Sequence, residues 1–412
     1  MTGLRLRPAT TDDLQRVIGW LRDERDLAMW SGPTFSWPVT LDDVQRQLDR
    51  DCDHGAVWVR AAVDAAGRLI GLARVRLETP ERGRYGWVIV DPSLRGRGTG
   101  AELVHRTLAA ATAELALPEL TLWVMTQNVG ARRLYQREGF VANGRQVNLS
   151  VAGDSWQAFE LTRTRADLKT AEAEFSDPRL AAAYDPLDPD RSDLEAYRAM
   201  AKAFGARSVL DIGCGTGTFA CLLAGDGLQV TGVDPAEASL NVARSKPEAA
   251  LVHWVSGPAS AALPLQVDLV TMTANVAQVF VADEAWREVL RVAHAALRSG
   301  GRLVFETRVP ERRAWQQWTP ENSHWQGEVE GVGPLTTSNE LIDVFEQWVT
   351  FRWTMRFHSD DAELTSLSTL RFRGEAELRA TLHEAGFVVD EVRDAPDRPG
   401  LEWVFVARRV DL

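Results

Sequence analysis

"VLDIGCGTGTF", residues 209–219, runs an apolar, β-branched strand straight into Gly213-Cys214-Gly215-Thr216-Gly217, after which a helix follows. Glycine lets the backbone come close to a ligand, and the carboxyl end of a first strand is where open α/β sheets bind their ligands. The spacing is Gly-x-Gly-x-Gly rather than the Gly-x-Gly-x-x-Gly of a dinucleotide fingerprint, and Asp211 lies inside the strand end. One strand further on, "VTGVDPAEASLNVAR", residues 230–244, puts Asp234 where a carboxylate can accept both hydroxyls of a ribose. The other reading of Asp234 is a helix N-cap, which Pro235 at a first helical position would support.

Around this stretch the chain keeps one rhythm. Helix is expected over 193–204, strand over 208–212, helix after Gly217 and strand over 229–233; strands at 251–255, 267–272 and 302–307 alternate with a helix over 283–297. That alternation is the signature of a parallel sheet wrapped by helices. Between residues 309 and 373 it breaks, and Asp343 to Trp353 alternates by face as antiparallel strands do. A helix over 375–385 and strands at 388–392 and 403–407 close the chain.

Upstream, to about residue 165, a second α/β pattern stands. A helix capped near Thr10 precedes a hairpin over 57–77, then come a strand ending at Val90, a helix from about Gly98 to Leu115, a strand over 120–125 and a helix over 129–138. Between the strand ending at Val90 and the helix that follows lies "RGRGTG", residues 95–100. A strand, a glycine-rich turn and a helix gather unpaired N–H groups at one point with the helix dipole behind them, which suits a pyrophosphate; Arg95 and Arg97 add charge. Taken alone, the hexapeptide reads equally well as a tight turn with solvated arginines.

The wider context favours the phosphate. "VIVDPSLRGRGTGAELV", residues 88–104, resembles the acyl-CoA-binding motif of the GNAT family of N-acetyltransferases, whose Arg/Gln-x-x-Gly-x-Gly/Ala pattern falls on Arg95, Gly98 and Gly100. "TQNVGARRLYQREGF", residues 126–140, resembles the same family's second signature. The resemblance implies a mixed sheet splayed between the strands ending at Val90 and Met125, with acetyl-CoA or another acyl-CoA held along Val88, Val90, Arg95, Gly96, Arg97, Gly98, Thr99 and Gly100. It implies that Tyr135 protonates the departing thiolate and that Asn128 hydrogen-bonds near the reacting centre; packing on Phe140 is the plain alternative for Tyr135. The chain departs from the family where many members carry a glutamate, since the strand here begins Arg82-Gly83-Arg84-Tyr85-Gly86. Glu78, Glu81 or a water relay would have to substitute as base. "PTFSWP", residues 33–38, is either an acceptor wall or packed loop.

The second half resembles class I S-adenosylmethionine-dependent methyltransferases over residues 177–412, with a Rossmann-like sheet and an antiparallel β insertion. By that resemblance Asp211, Gly213, Cys214, Gly215 and Gly217 face the methionine part of S-adenosyl-L-methionine, Asp234 with Pro235 the ribose, Gly257 the far end, and Asn275 and Val276 the cleft, with Tyr184 covering the ligand. Here too there is a departure: the acidic residue many members carry after the third strand is replaced by Val255-Ser256-Gly257-Pro258. The insertion, 309–373, is a candidate substrate lid in which Trp315, Trp318 and Trp325 with Arg308, Arg312 and Arg313 form an aromatic, cationic pocket; the alternative is that the tryptophans only pack the insertion.

Composition bounds the rest. A chain of 412 residues exceeds what one core fills, and the expected division is 1–165, a linker over 166–176, and 177–412. A net charge of −12 argues against a sequence-independent grip on nucleic acid. No apolar run approaches the length that crosses a bilayer, and the opening MTGLRLRP lacks a secretory core, so a cytoplasmic protein with no membrane partner is expected. Cys52, Cys214 and Cys221 have neither disulfide nor zinc spacing and the histidines are scattered, so no metal is expected. The sequence expectation is a bifunctional α/β transferase acting on small-molecule acceptors. Its alternatives are a chain in which only the methyltransferase works, and a non-enzymatic ligand sensor.

Overall fold

The structure is a computed structural model that describes residues 4–53, 55–164 and 172–411. The chain divides into two compact units, Met1–Lys169 and Thr170–Leu412.

In the first unit the order is β1 (Arg5–Pro8), α1 (Thr11–Gly19), α2 (Glu24–Ser31), α3 (Leu41–Asp53), β2 (Val57–Val63), β3 (Leu69–Thr79), β4 (Arg82–Val90), α4 (Thr99–Leu115), β5 (Glu119–Met125), α5 (Val129–Arg137), β6 (Val141–Val151) and β7 (Asp154–Thr164). Its seven strands lie in the order β1-β2-β3-β4-β5-β7-β6, antiparallel except for β4 against β5. That parallel pair is short. It runs only from Arg82↔Glu119 to Arg84↔Thr121, although β4 continues to Val90 and β5 to Met125. A bulge accompanies the separation: Leu72 of β3 faces Ile89 but Arg74 faces Gly86, and Trp87 takes a left-handed φ of 52°. The bulge sends Tyr85 and Trp87 into different cores. Tyr85 packs with Leu108, Tyr135 and Phe140, whereas Trp87 packs with Trp30 and Val44 from α2 and α3.

The second unit contains α6 (Ala173–Ser176), α7 (Pro178–Leu187), α8 (Leu194–Ala203), β8 (Ser208–Ile212), α9 (Thr218–Gly225), β9 (Gln229–Asp234), α10 (Glu237–Arg244), β10 (Val252–Ser256), β11 (Val267–Met272), α11 (Asp283–Ala296) and β12 (Leu297–Arg308). Then follow α12 (Pro320–Ser323), β13 (Trp325–Val329), β14 (Gly333–Phe345), β15 (Trp348–Phe357), β16 (Ala362–Arg371), α13 (Glu375–Glu384), β17 (Phe387–Asp394) and β18 (Glu402–Arg409). The main sheet is ordered β10-β9-β8-β11-β12-β18-β17. Strands β8 to β12 run parallel and β17 and β18 antiparallel. The chain leaves β8 for β9 on one side and returns to β11 on the other, so the carboxyl ends of β8 and β11 flank a switch-point crevice. Apolar cores cover both faces, one built on Trp286, Leu290 and Leu382 and the other on Tyr197, Phe219 and Leu223. Strands β13 to β16 form a separate antiparallel sheet, on which Leu180 and Ala183 of α7 pack against Leu335, Met355 and Phe357.

Of the linker expected over 166–176, residues 166–171 lie outside the described ones. The remainder behaves as part of the second unit: Glu174 N–H donates to Ser366 Oγ at 3.0 Å, and Phe175 C=O accepts from Ser239 Oγ at 2.9 Å. These bonds dock α6 on β16 and α10.

Candidate functional sites

In the first unit the glycine loop stands at the mouth of the gap between β4 and β5. Gly96 and Gly98 have φ of 75° and 82°, and a Cβ on either would meet nothing within 4 Å. Their glycines are therefore set by backbone conformation and by an open side, not by packing. Gly98 caps α4, and the first N–H that α4 takes up internally is Glu102, bonded to Gly98 C=O at 3.1 Å. The N–H groups before it face outward with the helix dipole behind them. Arg95 and Arg97 are exposed, with Arg95 Nε donating to Val90 C=O at 3.3 Å. Thr99 and Gly100 are half-buried, and a Cβ on Gly100 would come 3.5 Å from Leu134. Val88 and Val90 pack on Leu103 and Leu94.

Asn128 caps α5, its Oδ1 accepting from Ala131 N–H at 3.3 Å. Tyr135 is buried, edge-on to Tyr85 at 6.2 Å and to Phe140 at 6.0 Å. Burial pushes the phenol up, so Tyr135 is protonated through neutral pH while it packs on Phe140. The candidate bases fare differently. Burial works against Glu78, but hydrogen bonds from Arg84 and Arg76 outweigh it and hold the carboxyl below its ordinary range. Glu81 is exposed at the β3–β4 turn. In "PTFSWP", Phe35 is packed at 5.5 Å from Trp87, while Trp37 is 41% exposed.

In the second unit the three glycines of the loop differ. A Cβ on Gly213 would come within 2.7 Å of Val276, and one on Gly217 within 2.4 Å of Trp254. Only the Gly215 side is open, with nothing within 4 Å. Gly213 and Gly217 are thus glycines of close packing, and Gly215 is the one that leaves room for a ligand. Asp234 ends β9 with Oδ2 accepting from Gly215 N–H at 2.9 Å and Oδ1 from Ala236 N–H at 2.8 Å. Helix α10 begins at Glu237 with Ala236 as its cap, and Pro235 is exposed outside it, so the N-cap reading of Asp234 is not what the backbone adopts. Asp211 is 1% exposed and accepts from Thr271 Oγ1 at 2.7 Å; burial pushes its carboxyl up to about 7, the hydrogen bond opposing and Asp234 adding to the rise. The Cys214 sulfur packs on Gly232, and burial first, then the charges of Asp211 and Asp234, push its thiol up, which leaves it unreactive.

Beyond β11 the chain turns through two left-handed residues, Ala274 at φ 54° and Asn275 at φ 61°. Asn275 N–H donates to Glu306 Oε1 at 3.1 Å, and Glu306 Oε2 accepts from Tyr197 Oη. Asn275 Oδ1 is buried without a hydrogen-bond partner. Such an atom costs free energy unless a ligand satisfies it. Gly257, the residue after β10, donates its N–H to Asp234 C=O at 3.0 Å.

Tyr184 is half-buried on α7 with its ring 5.8 Å from Phe175. What holds α7 over the loop is its neighbour Asp185, which accepts from Thr216 Oγ1 at 2.7 Å and pairs with Lys246 Nζ at 2.7 Å. Asp185 and Glu306 escape sequence reasoning because each acts through another residue. The only signal for Asp185 is its place beside Tyr184.

The expected lid pocket is not assembled. Trp315 is buried 4.6 Å from Phe372, as the packing alternative has it; Trp325 is 40% exposed; Arg312 donates to Gly400 C=O at 2.8 Å and Arg313 is exposed. Only Arg308 and Trp318 come together, guanidinium to ring centroid at 5.6 Å. Antiparallel pairing of β14 to β16 directs alternate aromatics into the insertion's own core. Among the described residues no group of His, Cys, Asp and Glu could hold a metal, and no helix is long and apolar enough to cross a membrane.

Residues 3–141 match the family model of the acetyltransferase (GNAT) domain, and residues 209–301 that of a methyltransferase domain. A mycothiol acetyltransferase of Mycobacterium sp. (strain JLS) is 29% identical over 147 residues, 33% of this chain and 48% of that protein. A mycothiol acetyltransferase of Salinispora tropica is 34% identical over 113 residues, 26% of this chain and 36% of that protein. The chain thus spans about half, or less, of the length of the curated relatives it matches. Among solved structures, the CcbJ methyltransferase from Streptomyces caelestis aligns with a TM-score of 0.47 at 22% identity, covering 57% of this chain and 98% of that one. Residues 3–141 are an acetyltransferase domain of the GNAT family, and residues 209–301 belong to a methyltransferase domain.

Proposed function

We propose that the chain is a bifunctional transferase, with residues 1–165 moving an acyl group from acyl-CoA to an amine and residues 177–412 moving a methyl group from S-adenosyl-L-methionine to a small-molecule acceptor. The observation that carries this reading is a pair of independent glycine loops, each with an open left-handed glycine at the carboxyl end of a parallel strand.

When bound, acyl-CoA supplies an activated thioester. The N–H groups from Gly96 to Gly100, with Arg95 and Arg97, hold its pyrophosphate; the gap beyond Arg84 takes the pantetheine arm, with Val88 and Val90 along one wall. Tyr135 Oη keeps a proton to give to the leaving sulfur, and the Asn128 amide orients the acceptor side. Because Glu78 is held by two arginines, the proton released by the acceptor leaves through solvent. S-adenosyl-L-methionine supplies an electrophilic methyl. Gly215 makes room for its methionine portion, Asp211 faces the cationic end, Asp234 keeps lone pairs for the ribose, and Asn275 and Val276 close the cleft under Tyr184. Methyl transfer then proceeds largely by alignment.

Titration of the full chain with each cofactor tests this. Acetyl-CoA and S-adenosyl-L-methionine are expected to bind independently; Arg97→Ala should weaken only the first and Asp211→Asn only the second. Failure of acetyl-CoA to bind removes the acyltransferase half of the proposal. The capture of Glu78 by Arg76 and Arg84 favours a second reading, in which the first unit binds acyl-CoA without turning it over. Bound acetyl-CoA with no acetylated product across a broad amine panel would establish that one instead.

A further inference from the structure

Helix α7 and the insertion sheet form one body. Leu180 and Ala183 share a core with Leu335, Met355 and Phe357, and the Arg179 guanidinium lies 3.8 Å over the Phe357 ring while pairing with Asp360 at 2.9 Å. This body is attached to the main sheet on both sides of the switch-point crevice, and the two attachments differ in kind. On the β11 side the attachment is buried. Trp348 Nε1 donates to Val281 C=O at 3.2 Å, Arg371 Nη1 to the same carbonyl at 3.1 Å, and Arg373 to the carbonyls of Phe280 and Ala277. Each guanidinium also lies on an indole face, Arg371 4.7 Å from Trp348 and Arg373 4.9 Å from Trp286, and both arginines are 2% exposed. Pulling such cations off their partners is costly, and the carbonyls they hold follow directly on Asn275 and Val276 of the cleft wall.

On the opposite side, towards β9, the attachment is polar and partly wet. Asp185 Oδ1 accepts from Thr216 Oγ1 at 2.7 Å, and Oδ2 pairs at 2.7 Å with Nζ of Lys246, just past α10, which also donates to Thr218 Oγ1. The Asp185 and Lys246 side chains are 24% and 21% exposed. Beside them Ser239 Oγ of α10 donates to Phe175 C=O at 2.9 Å. A half-solvated pair and a few hydroxyl bonds open far more readily than two buried guanidiniums. The asymmetry is that of a cover with a fixed end and a free end.

We propose that α7 and the insertion sheet close the crevice as one cover hinged on residues 277–281, and that Asp185 is its catch: ligand enters and leaves the methyltransferase cleft when Asp185 lets go of Thr216 and Lys246. The inference rests on the methyltransferase reading and adds how its ligand is admitted. Asp185 is a positioning residue. It acts through Thr216, which stands between Gly215 and Gly217, and through Tyr184, its neighbour on α7, so closing the catch sets the open side of the glycine loop and the ring above it together. Opening is then a separate step that precedes binding and follows methyl transfer.

Stopped-flow binding of the demethylated product, S-adenosylhomocysteine, to the full chain tests this. Asp185→Asn keeps the shape of the side chain and removes its charge. Association and dissociation are both expected to quicken about tenfold, the increment of one charge-assisted hydrogen bond, with equilibrium affinity held within about threefold. Lys246→Met removes the other partner from outside the cleft and should do the same. The double variant should be no faster than either single one, since both open one catch. A residue that merely supported the fold would speed dissociation and leave association as it was or slower. Unchanged association in a folded variant, or accelerations that multiply in the double variant, overturns the assignment of Asp185; where one single variant does not fold, the other decides. If the wild-type chain does not bind S-adenosylhomocysteine, it is the methyltransferase reading that falls.

Discussion

Asp211 offers the most direct measurement on the second site. Its carboxyl is 1% exposed, keeps one hydrogen bond from Thr271, and is pushed up to about 7 chiefly by burial. In the empty site at pH 6 the protonated form then outweighs the ionised one by roughly ten to one. A cationic ligand end placed beside it favours the charged form, so binding must expel that proton. S-adenosyl-L-methionine binding at pH 6 should therefore release about 0.9 proton, against about 0.1 at pH 8, and affinity should fall about tenfold from pH 8 to pH 6. The sign for stability is opposite. A carboxyl whose folded pKa lies above its unfolded value destabilises the empty fold as pH rises from about 4 through about 7, and the ligand relieves this. Calorimetry at pH 6 in two buffers of different ionisation enthalpy counts the protons. Asp211→Asn should abolish the release and flatten the pH dependence. If no proton leaves at pH 6, or Asp211→Asn releases as many as the wild type, Asp211 does not meet the cation and the orientation of the ligand is wrong.

The loop glycines separate packing from binding. Gly217→Ala drives a Cβ to 2.4 Å from Trp254 at a left-handed φ of 74°, so a loss of about 3 kcal/mol is expected in denaturant unfolding, whereas Gly215→Ala has open space and should cost about 1 kcal/mol while weakening S-adenosyl-L-methionine binding. Equal stability losses would contradict that division. Tyr135→Phe should lower kcat for acetyl transfer about a hundredfold with acetyl-CoA affinity unchanged, since only the proton is removed; a normal kcat would return Tyr135 to a packing role. Arg95→Ala and Arg97→Ala should each weaken acetyl-CoA about three- to tenfold, a modest figure because both side chains are exposed, and should leave pantetheine binding as it was.

The parallel sheet of the second unit was legible because buried strands such as Ser208–Ile212 and Val267–Met272 are short apolar runs between amphipathic helices. The hairpin of β6 and β7 was not. The middle of β6, from Gly144 to Val147, is exposed, so no face alternates and the segment reads as polar loop. Strand β12 starts at Leu297, five residues before the expected Arg302, because Gly300 and Gly301 read as breakers. In fact a Cβ on Gly301 would come within 3.0 Å of Asp268 C=O, so that glycine is there for close backbone approach inside the sheet. Helix α6 is only four residues long and carries Glu174, which composition assigns to solvent. Its hydrogen bonds to Ser366, Ser368 and Ser239 reach residues more than 60 positions away, and no local pattern encodes them.

The two glycine loops look alike in sequence and differ in cause. In the first, Gly96 and Gly98 are both open, so what demands glycine is the left-handed turn and the approach of something from outside. Two exposed arginines then mark that something as anionic. In the second, Gly213 and Gly217 are filled by Val276 and Trp254, and only Gly215 is open, with its N–H fixed by Asp234. Asp211 and Asp234 stand beside that loop, and both have carboxyls raised by burial. A site that holds two buried carboxylates is poorly made for phosphate and well made for a ligand that brings its own positive charge. It is this inversion of charge, rather than the count of glycines, that separates the two loops.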